Sequence, residues 1–263
     1  MAKAHQDEYN DSVMAHLELM WGRGFMAPGG KGNVRRIVEG LDLEGRTVLE
    51  IGSGIGGGAM VLAEEFGARV IGLEVEAPLV ERAEKYADEA GLGDLIEFHL
   101  VEPGPLAADD DSVDFVYSSG VIIHIEDKAA LFRDVLRVLK PGGIFAAYDW
   151  LKGPGPLSEA MHEWIRLEEL TFYLDTLENY ESMLVDCGFQ SVTAKDASGW
   201  YAAEAKIEYE RMKGPLYDRM TELLGPGQRD HFLEDWAALV GVLESGELRS
   251  GYFRGTRPVP RDL

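Results

Sequence analysis

Cysteine is almost missing from this chain. Cys187 stands alone among 263 residues. An internal disulfide is therefore impossible and a cysteine-based metal centre is excluded, so no metal is expected. Positive charge is scarce as well. Lys and Arg number 25 against 47 Asp and Glu, a formal net charge of −22. That sign repels nucleic acid and anionic lipid, so neither nucleic acid nor membrane is expected as a partner. It draws cations, although an acidic surface also serves solubility alone. No run of about 18 apolar residues occurs, so no membrane-spanning helix is expected. The start, Met1 to Glu8, lacks the apolar core of a secretory leader. With the lone cysteine, this leads to the expectation of a cytoplasmic protein. There is no fixed-period repeat and no low-complexity tract.

What is present is enough to fold. Apolar residues make up 46% of the chain, which supplies a full core and argues against disorder. The length suits one α/β domain with insertions. The densest signal lies at residues 46–58, Arg-Thr-Val-Leu-Glu-Ile-Gly-Ser-Gly-Ile-Gly-Gly-Gly. An apolar strand, Val48 to Ile51, runs into a glycine turn, and good helix formers continue from Ala59. Strand, glycine turn and helix open a nucleotide-type βαβ unit. Gly52, Gly54 and Gly56 tolerate unusual backbone angles and leave room for a ligand, and the helix start beyond them offers free N–H groups. A tight strand–helix turn with no ligand is the plain alternative. A second apolar run, Arg69 to Leu73, ends in Glu74, about 20 residues past Gly52, where a carboxylate can accept both hydroxyls of a ribose.

The remaining elements come from periodicity and turn residues. Ser12 to Trp21 reads as a helix, Gly22 to Gly30 as loop, and Asn33 to Gly40 as a helix before the first strand. Pro78 to Ala90 reads as the helix after the second strand, and Leu95 to Leu100 as the third strand. Val113 to Ser118 is the fourth, and Asp127 to Leu139 an amphipathic helix. Ile144 to Trp150 is the fifth strand. Leu157 to Tyr173 is expected to be helical, and Thr176 is a plausible cap for a helix ending at Cys187-Gly188. Gln190 to Lys195 is the sixth strand. Two helices, Tyr201 to Leu224 and Arg229 to Glu244, precede a last strand, Ser250 to Thr256. An insertion of about 50 residues there is too long for a connection and reads as a lid. The loop Ser119 to Asp127 comes after a strand's carboxyl end, where open α/β sheets hold ligands, which favours a functional role for His124 over a structural one.

Glu50 before Gly-x-Gly-x-Gly, with Val138-Leu139-Lys140-Pro141-Gly142-Gly143 and the strand Ile144 to Tyr148, resembles the class I methyltransferases that use S-adenosylmethionine. The resemblance implies a Rossmann-like, seven-stranded, mostly parallel sheet with helices on both faces. It implies an N-terminal lid segment over residues 1–30, a methyltransferase domain over 31–263, and a helical lid insertion at about 200–247 before the last strand. It places the cofactor on Glu50, Gly52, Ser53, Gly54, Gly56, Glu74, Val75, Val101, Glu102, Ser118 and Ser119. From about Glu8 to Arg257 the chain is similar to the phosphoethanolamine methyltransferases and to the sarcosine/dimethylglycine methyltransferases. In that group a tyrosine and a histidine form a catalytic dyad, which falls here on Tyr9 and His124.

The chain departs from the phosphobase pattern at the acceptor end. Gly120 stands where that group has an aspartate. Trp150, Leu170, Phe172 and Gly241 align with positions that hold the substrate phosphate. A phosphate without donors would be badly unsatisfied, so the leading expectation is N-methylation of a small amine of the sarcosine or dimethylglycine kind. Arg23, Arg166 and Arg249 are available for a substrate carboxylate. Trp21, Phe25, Trp150, Phe172, Tyr173 and Trp236 are expected to wall the substrate site, since ring faces suit a methylammonium product. Alternatives are a larger natural-product amine, an oxygen or sulfur acceptor, or phosphoethanolamine itself. Further off stand a nicotinamide-dependent oxidoreductase and a non-catalytic binder of the cofactor. The expected assembly is a monomer or a homodimer.

Overall fold

The structure is a computed structural model, and it describes residues 10–260. Tyr9 lies outside the described residues. Seven strands form one sheet in the order β3-β2-β1-β4-β5-β7-β6. They are β1 (Thr47–Ile51), β2 (Arg69–Glu74), β3 (Ile96–Leu100), β4 (Val113–Ser119), β5 (Leu139–Lys152), β6 (Gln190–Asp196) and β7 (Leu248–Thr256). Strands β1 to β5 pair in parallel, and β7 runs antiparallel to both β5 and β6. The chain leaves β1 toward β2 on one side and returns to β4 on the other. The crevice at the carboxyl end of β1 is therefore the switch point where such sheets bind ligands.

Alternation along the strands sorts the two faces of the core. Val48, Tyr117, Ala146 and Tyr148 pack on one side with α2 (Gly30–Ile37), α3 (Gly57–Phe66) and α4 (Ala77–Glu89). Leu49, Ile51, Val116, Phe145 and Phe253 pack on the other with α5 (Lys128–Val138) and α7 (Leu177–Cys187). Glu50 shares its face with Val48, by the period of two. The expected N-cap is in place: Thr176 Oγ1 accepts the Asn179 N–H at 3.2 Å. A third core lies beyond the sheet. It joins α1 (Asp11–Trp21), α6 (Glu159–Glu168), α8 (Ser198–Lys213) and α9 (Tyr217–Glu244) through Met20, Trp164, Tyr201, Met220 and Trp236.

Two expectations need correction. The helix expected over Leu157 to Tyr173 stops at Glu168, and Glu169 turns left-handed with φ 57°. The strip after Glu169 is irregular rather than helical, and tertiary hydrogen bonds claim its backbone. Tyr173 N–H donates to Ile123 O at 2.7 Å, and Lys152 N–H donates to Asp175 O at 2.9 Å. The helix expected over Tyr201 to Leu224 is two, broken at Gly214-Pro215, where proline can donate no backbone N–H. The break expected at Gly225 is real: its φ of 75° and ψ of 166° interrupt α9.

Candidate active site

The glycine turn is built by backbone bonding across the sheet edge. Gly52 and Ser53 N–H both donate to Leu73 O, at 2.9 and 3.1 Å, which locks the turn against β2. Gly57 N–H donates to Gly24 O at 2.8 Å and ties the start of α3 to the N-terminal segment. The approach is so close that a Cβ on Gly57 would lie 2.3 Å from that oxygen. Gly54, with φ 52°, instead faces open space, its nearest neighbour being Met26 Sδ at 3.9 Å. Some of these glycines thus serve chain packing, while Gly54 keeps a surface clear.

Two carboxyls frame the turn. Glu50 is 4% exposed. One of its oxygens has no hydrogen-bond partner. Burial lifts its pKa to about 8, against the pull of the Ala59 N–H, and the charge of Glu74 adds to the rise. Glu74 accepts the N–H groups of Gly54 at 2.8 Å, Val75 at 2.7 Å and Glu76 at 3.2 Å. Burial still outweighs these bonds and raises its pKa. Ser53 Oγ is also buried without a partner. Unsatisfied polar atoms of this kind mark places where a polar ligand can complete the bonding.

These groups open onto one cleft of about 1260 Å³. Of the residues expected to hold a cofactor, Glu50, Gly52, Ser53, Gly54, Glu74, Val75, Val101, Glu102 and Ser119 line it. Gly56 and Ser118 do not. Gly56 packs against Ala83 and Phe98, and Ser118, fully buried, donates to Ile51 O at 3.3 Å and joins β4 to β1.

His124 closes a single 3-10 turn, Ile122–His124, just past β4, and it lines the same cleft. Its Nδ1 is 2.9 Å from Thr171 O. A carbonyl can only accept, so Nδ1 carries the hydrogen and the neutral ring has its lone pair on Nε2. Leu170, Thr171 and Tyr173 form the wall beside it. The strip has left the helix here; of its cleft-lining residues Tyr173 was expected at the substrate site, and Thr171 was not. Asn33 is a second residue that sequence reasoning missed. It lines the cleft and is 2% exposed. Its Oδ1 accepts the Tyr252 hydroxyl at 2.8 Å, while its Nδ2 has no partner. The signal was a polar residue on the face of α2 that also carries Val34 and Ile37.

The expected aromatic wall divides. Phe25 and Tyr173 line the cleft. Trp21, Trp150, Phe172 and Trp236 are not among its lining residues and pack with the helical core instead. Trp21 and Trp236 sit with ring centroids 5.9 Å apart and share Glu208 as acceptor. The three arginines considered for a carboxylate are engaged elsewhere. Arg23 pairs with Glu89, Arg166 with Glu163, and Arg249 donates to Gly246 O at 3.1 Å.

A glycine-turn cleft at the switch point of this sheet, with an antiparallel β7, is the class I methyltransferase fold. Residues 49–147 match the family model described as a methyltransferase domain. The chain is 31% identical over 251 residues to the phosphoethanolamine N-methyltransferase of Triticum aestivum, covering 95% of this chain and 49% of that protein. It therefore spans about half the length of the plant relatives it matches. The phosphoethanolamine N-methyltransferase of Plasmodium falciparum is 25% identical over 258 residues, covering 95% of this chain and 94% of that one. Among solved structures, the Haemonchus contortus phosphoethanolamine N-methyltransferase 2, in complex with phosphomonomethylethanolamine and S-adenosylhomocysteine, superposes with a TM-score of 0.87 at 26% identity. The match covers 97% of this chain and 59% of that one. A putative sarcosine dimethylglycine methyltransferase from Galdieria sulphuraria has a TM-score of 0.79 at 20% identity, over 98% of this chain and all of that one, and shares the fold.

Proposed function

We propose that this chain is an S-adenosylmethionine-dependent N-methyltransferase of the phosphoethanolamine type, acting on the nitrogen of a small amine. The observation that supports it most directly is one continuous cleft with Glu50, Glu74 and the glycine turn at one part and His124 with its Thr171 wall at another. The residues fit the cofactor. The unpartnered Glu50 oxygen and Ser53 hydroxyl suit its polar groups, and the carboxylate of Glu74 suits ribose hydroxyls. Gly52, Gly54 and Val75 would form the cradle, and Val101, Glu102 and Ser119 the base end, while Gly56 would only let the turn close against Ala83 and Phe98. Ser118 would support the rim from behind. When bound, S-adenosylmethionine supplies a methyl group already activated by its sulfonium.

The chain's own contribution is position and proton handling. A small amine is mostly protonated near neutral pH, and an ammonium has no lone pair to attack with. His124, oriented by the bond from Nδ1–H to Thr171 O, offers Nε2 as the group that takes the ammonium proton. Tyr9, from the N-terminal segment, would hydrogen-bond that same Nε2 and yield it to the acceptor when the acceptor binds. Holding nitrogen and methyl carbon in line lowers the barrier by several kcal/mol.

The relatives alter the choice of acceptor. Phosphoethanolamine methyltransferases match along most of the chain, whereas the sarcosine/dimethylglycine neighbour shares only the fold. The engaged state of Arg23, Arg166 and Arg249 also speaks against a carboxylate-bearing acceptor. Phosphoethanolamine therefore replaces sarcosine and dimethylglycine as the reference acceptor. The test is methyl transfer from S-adenosylmethionine over an amine panel, read by product mass. Methylated nitrogen in any member supports the reading. Cofactor binding with no methylated amine across a broad panel overturns it in favour of an oxygen or sulfur acceptor, or of a non-catalytic binder.

A further inference from the structure

One residue of the cleft wall carries a hydrogen-bond donor that nothing in the fold uses. Asn33 stands in the first turn of α2, its backbone N–H bonded to Gly29 O at 3.2 Å. It is 2% exposed and lines the cleft. Its amide is held in one orientation. The Tyr252 hydroxyl, whose pKa burial lifts to about 12, keeps its hydrogen and donates it to Asn33 Oδ1 at 2.8 Å. The NH2 end is therefore the free end, and Nδ2 has no partner. The chain beside it is packed tight: a Cβ on Gly29 would lie 2.8 Å from the Trp200 ring and 3.1 Å from Asn33 Cβ. A buried amide fixed in this way is costly when its N–H groups stay unsatisfied, and a ligand oxygen removes that cost.

A row of side chains on one face of the sheet connects this amide to Glu50. Glu50 on β1 is in register with Tyr117 on β4. A Cβ on Gly58 would meet both, 2.1 Å from Glu50 Oε1 and 3.3 Å from Tyr117 Cε1. Tyr117 lies in the field of Glu50 and of Tyr252, and Tyr252 on β7 holds Asn33. The row begins with an unpartnered acceptor, Glu50 Oε2, and ends with an unpartnered donor, Asn33 Nδ2. Glu50, Tyr117 and Asn33 all line the cleft. An acceptor and a donor set apart on one wall match the two charged groups of an α-amino acid, ammonium to the carboxyl oxygen and carboxylate to the amide hydrogens. A carboxylate on this wall finds no cation beside it. Among the described lining residues the Lys and Arg side chains are Arg133 and Arg137. Both lie on α5, which packs on the opposite face of the sheet from α2, and Arg137 is paired with Asp110 and Asp134.

We infer that Asn33 donates to the carboxylate of S-adenosylmethionine, with Glu50 taking the ammonium of the same amino-acid end. The inference rests on the cofactor assignment within the N-methyltransferase reading and leaves phosphoethanolamine as the reference acceptor. It puts part of the cofactor seat outside the glycine turn, on a helix residue steered by the last strand. Tyr252 is then a positioning residue, because it reaches the cofactor only through Asn33. The acceptor's phosphate is the other anion of the proposed reaction, but serving it would leave the Glu50 end of the row without a use.

Calorimetry on the full chain with two probes tests this. One is S-adenosylhomocysteine; the other is its decarboxylated analogue, which keeps the ammonium and lacks the carboxylate. The wild type should bind the first at least about tenfold tighter, since it gains a hydrogen bond to a charged group. Asn33→Ala should lose about tenfold for S-adenosylhomocysteine and nothing for the analogue, whereas a merely structural fault weakens both alike. Tyr252→Phe should narrow the same gap, and by less. Equal binding of the two probes by the wild type overturns the inference, as does a gap in Asn33→Ala as wide as in the wild type. Where Asn33→Ala does not fold, the isotope-labelled side-chain amide of Asn33 in the wild type decides. Its resonances should move further with S-adenosylhomocysteine than with the analogue, and equal movement overturns the inference. An Asn33→Ala chain that binds S-adenosylhomocysteine normally and has a raised KM for phosphoethanolamine also overturns it, assigning the amide to the acceptor's phosphate. The binding measurements need no acceptor, which separates the two readings. The expected gap with no amine ever methylated refutes the N-methyltransferase reading and supports the role of Asn33. Methylation of phosphoethanolamine with no gap refutes the role of Asn33 alone.

Discussion

Replacing Glu50 by glutamine keeps the shape of the cleft floor and removes one titration. The Glu50 carboxyl titrates at about 8 in the folded chain against 4.5 when exposed. Between those two pH values the folded chain holds one more proton at this site than the unfolded chain. Stability must therefore fall as pH rises, by up to about 1.4 kcal/mol per pH unit and about 5 kcal/mol across the window. The contribution is intact below pH 4.5 and gone above about 8. A glutamine side chain needs no proton there, and its amide oxygen can still accept the Ala59 N–H. Asp149, whose pKa burial also raises, remains in both proteins and cancels in the comparison, while the charge of Glu74 is part of what raises Glu50. Urea unfolding of wild type and Glu50→Gln at a series of pH values measures the difference directly. The variant should gain on the wild type steadily from pH 5 to pH 8. Parallel curves would refute the reasoning, because they would mean that Glu50 stays ionised in the fold.

The other expectations concern the rest of the cleft. Glu74→Gln should weaken binding of S-adenosylhomocysteine by about tenfold, a lost hydrogen bond to a charged group being worth about 1.5–3 kcal/mol; calorimetry giving an unchanged affinity would remove Glu74 from the cofactor site. Tyr9→Phe and His124→Ala should each cut turnover, His124→Ala by about 10²–10⁴, with cofactor affinity unchanged; full turnover in both would end the dyad assignment. Gly58→Ala places a Cβ 2.1 Å from Glu50 Oε1. Overpacking there should cost about 1–3 kcal/mol and lower the melting temperature, despite the better helix propensity of alanine.

Much of the nucleotide half was legible in the sequence because its signals are local. The strand before Gly52, the turn and the helix after it lie within a few residues of each other, and Glu50 stood out as the acid closing the strand before the glycines. Glu74 was found the same way, as the polar end of an apolar run. The acceptor half was harder to read. Leu170 to Tyr173 has apolar spacing that allows a helix, and bonds from Tyr173 N–H to Ile123 O and from His124 to Thr171 O take it out of one. Asn33 looked like an ordinary helix residue until Tyr252, far along the chain, took its side-chain oxygen.

The tryptophans show the same division. Trp21, Trp150, Phe172 and Trp236 were expected to wall the substrate site, and they pack in the helical core instead. Trp21 and Trp236 share Glu208 of α8, and Trp150 and Phe172 pack on Trp164 of α6, and nothing in the local pattern links those helices to β5. The sequence alone determined the order of strands and helices along the chain, the glycine turn and its two carboxyls, since each depends on neighbours in the chain and on a fixed backbone period. Tertiary structure decided which aromatic rings face the cleft, which arginines are already paired, and where buried acids meet. Those outcomes depend on long-range packing, in which a side chain's surroundings are set by segments that the chain brings together only on folding.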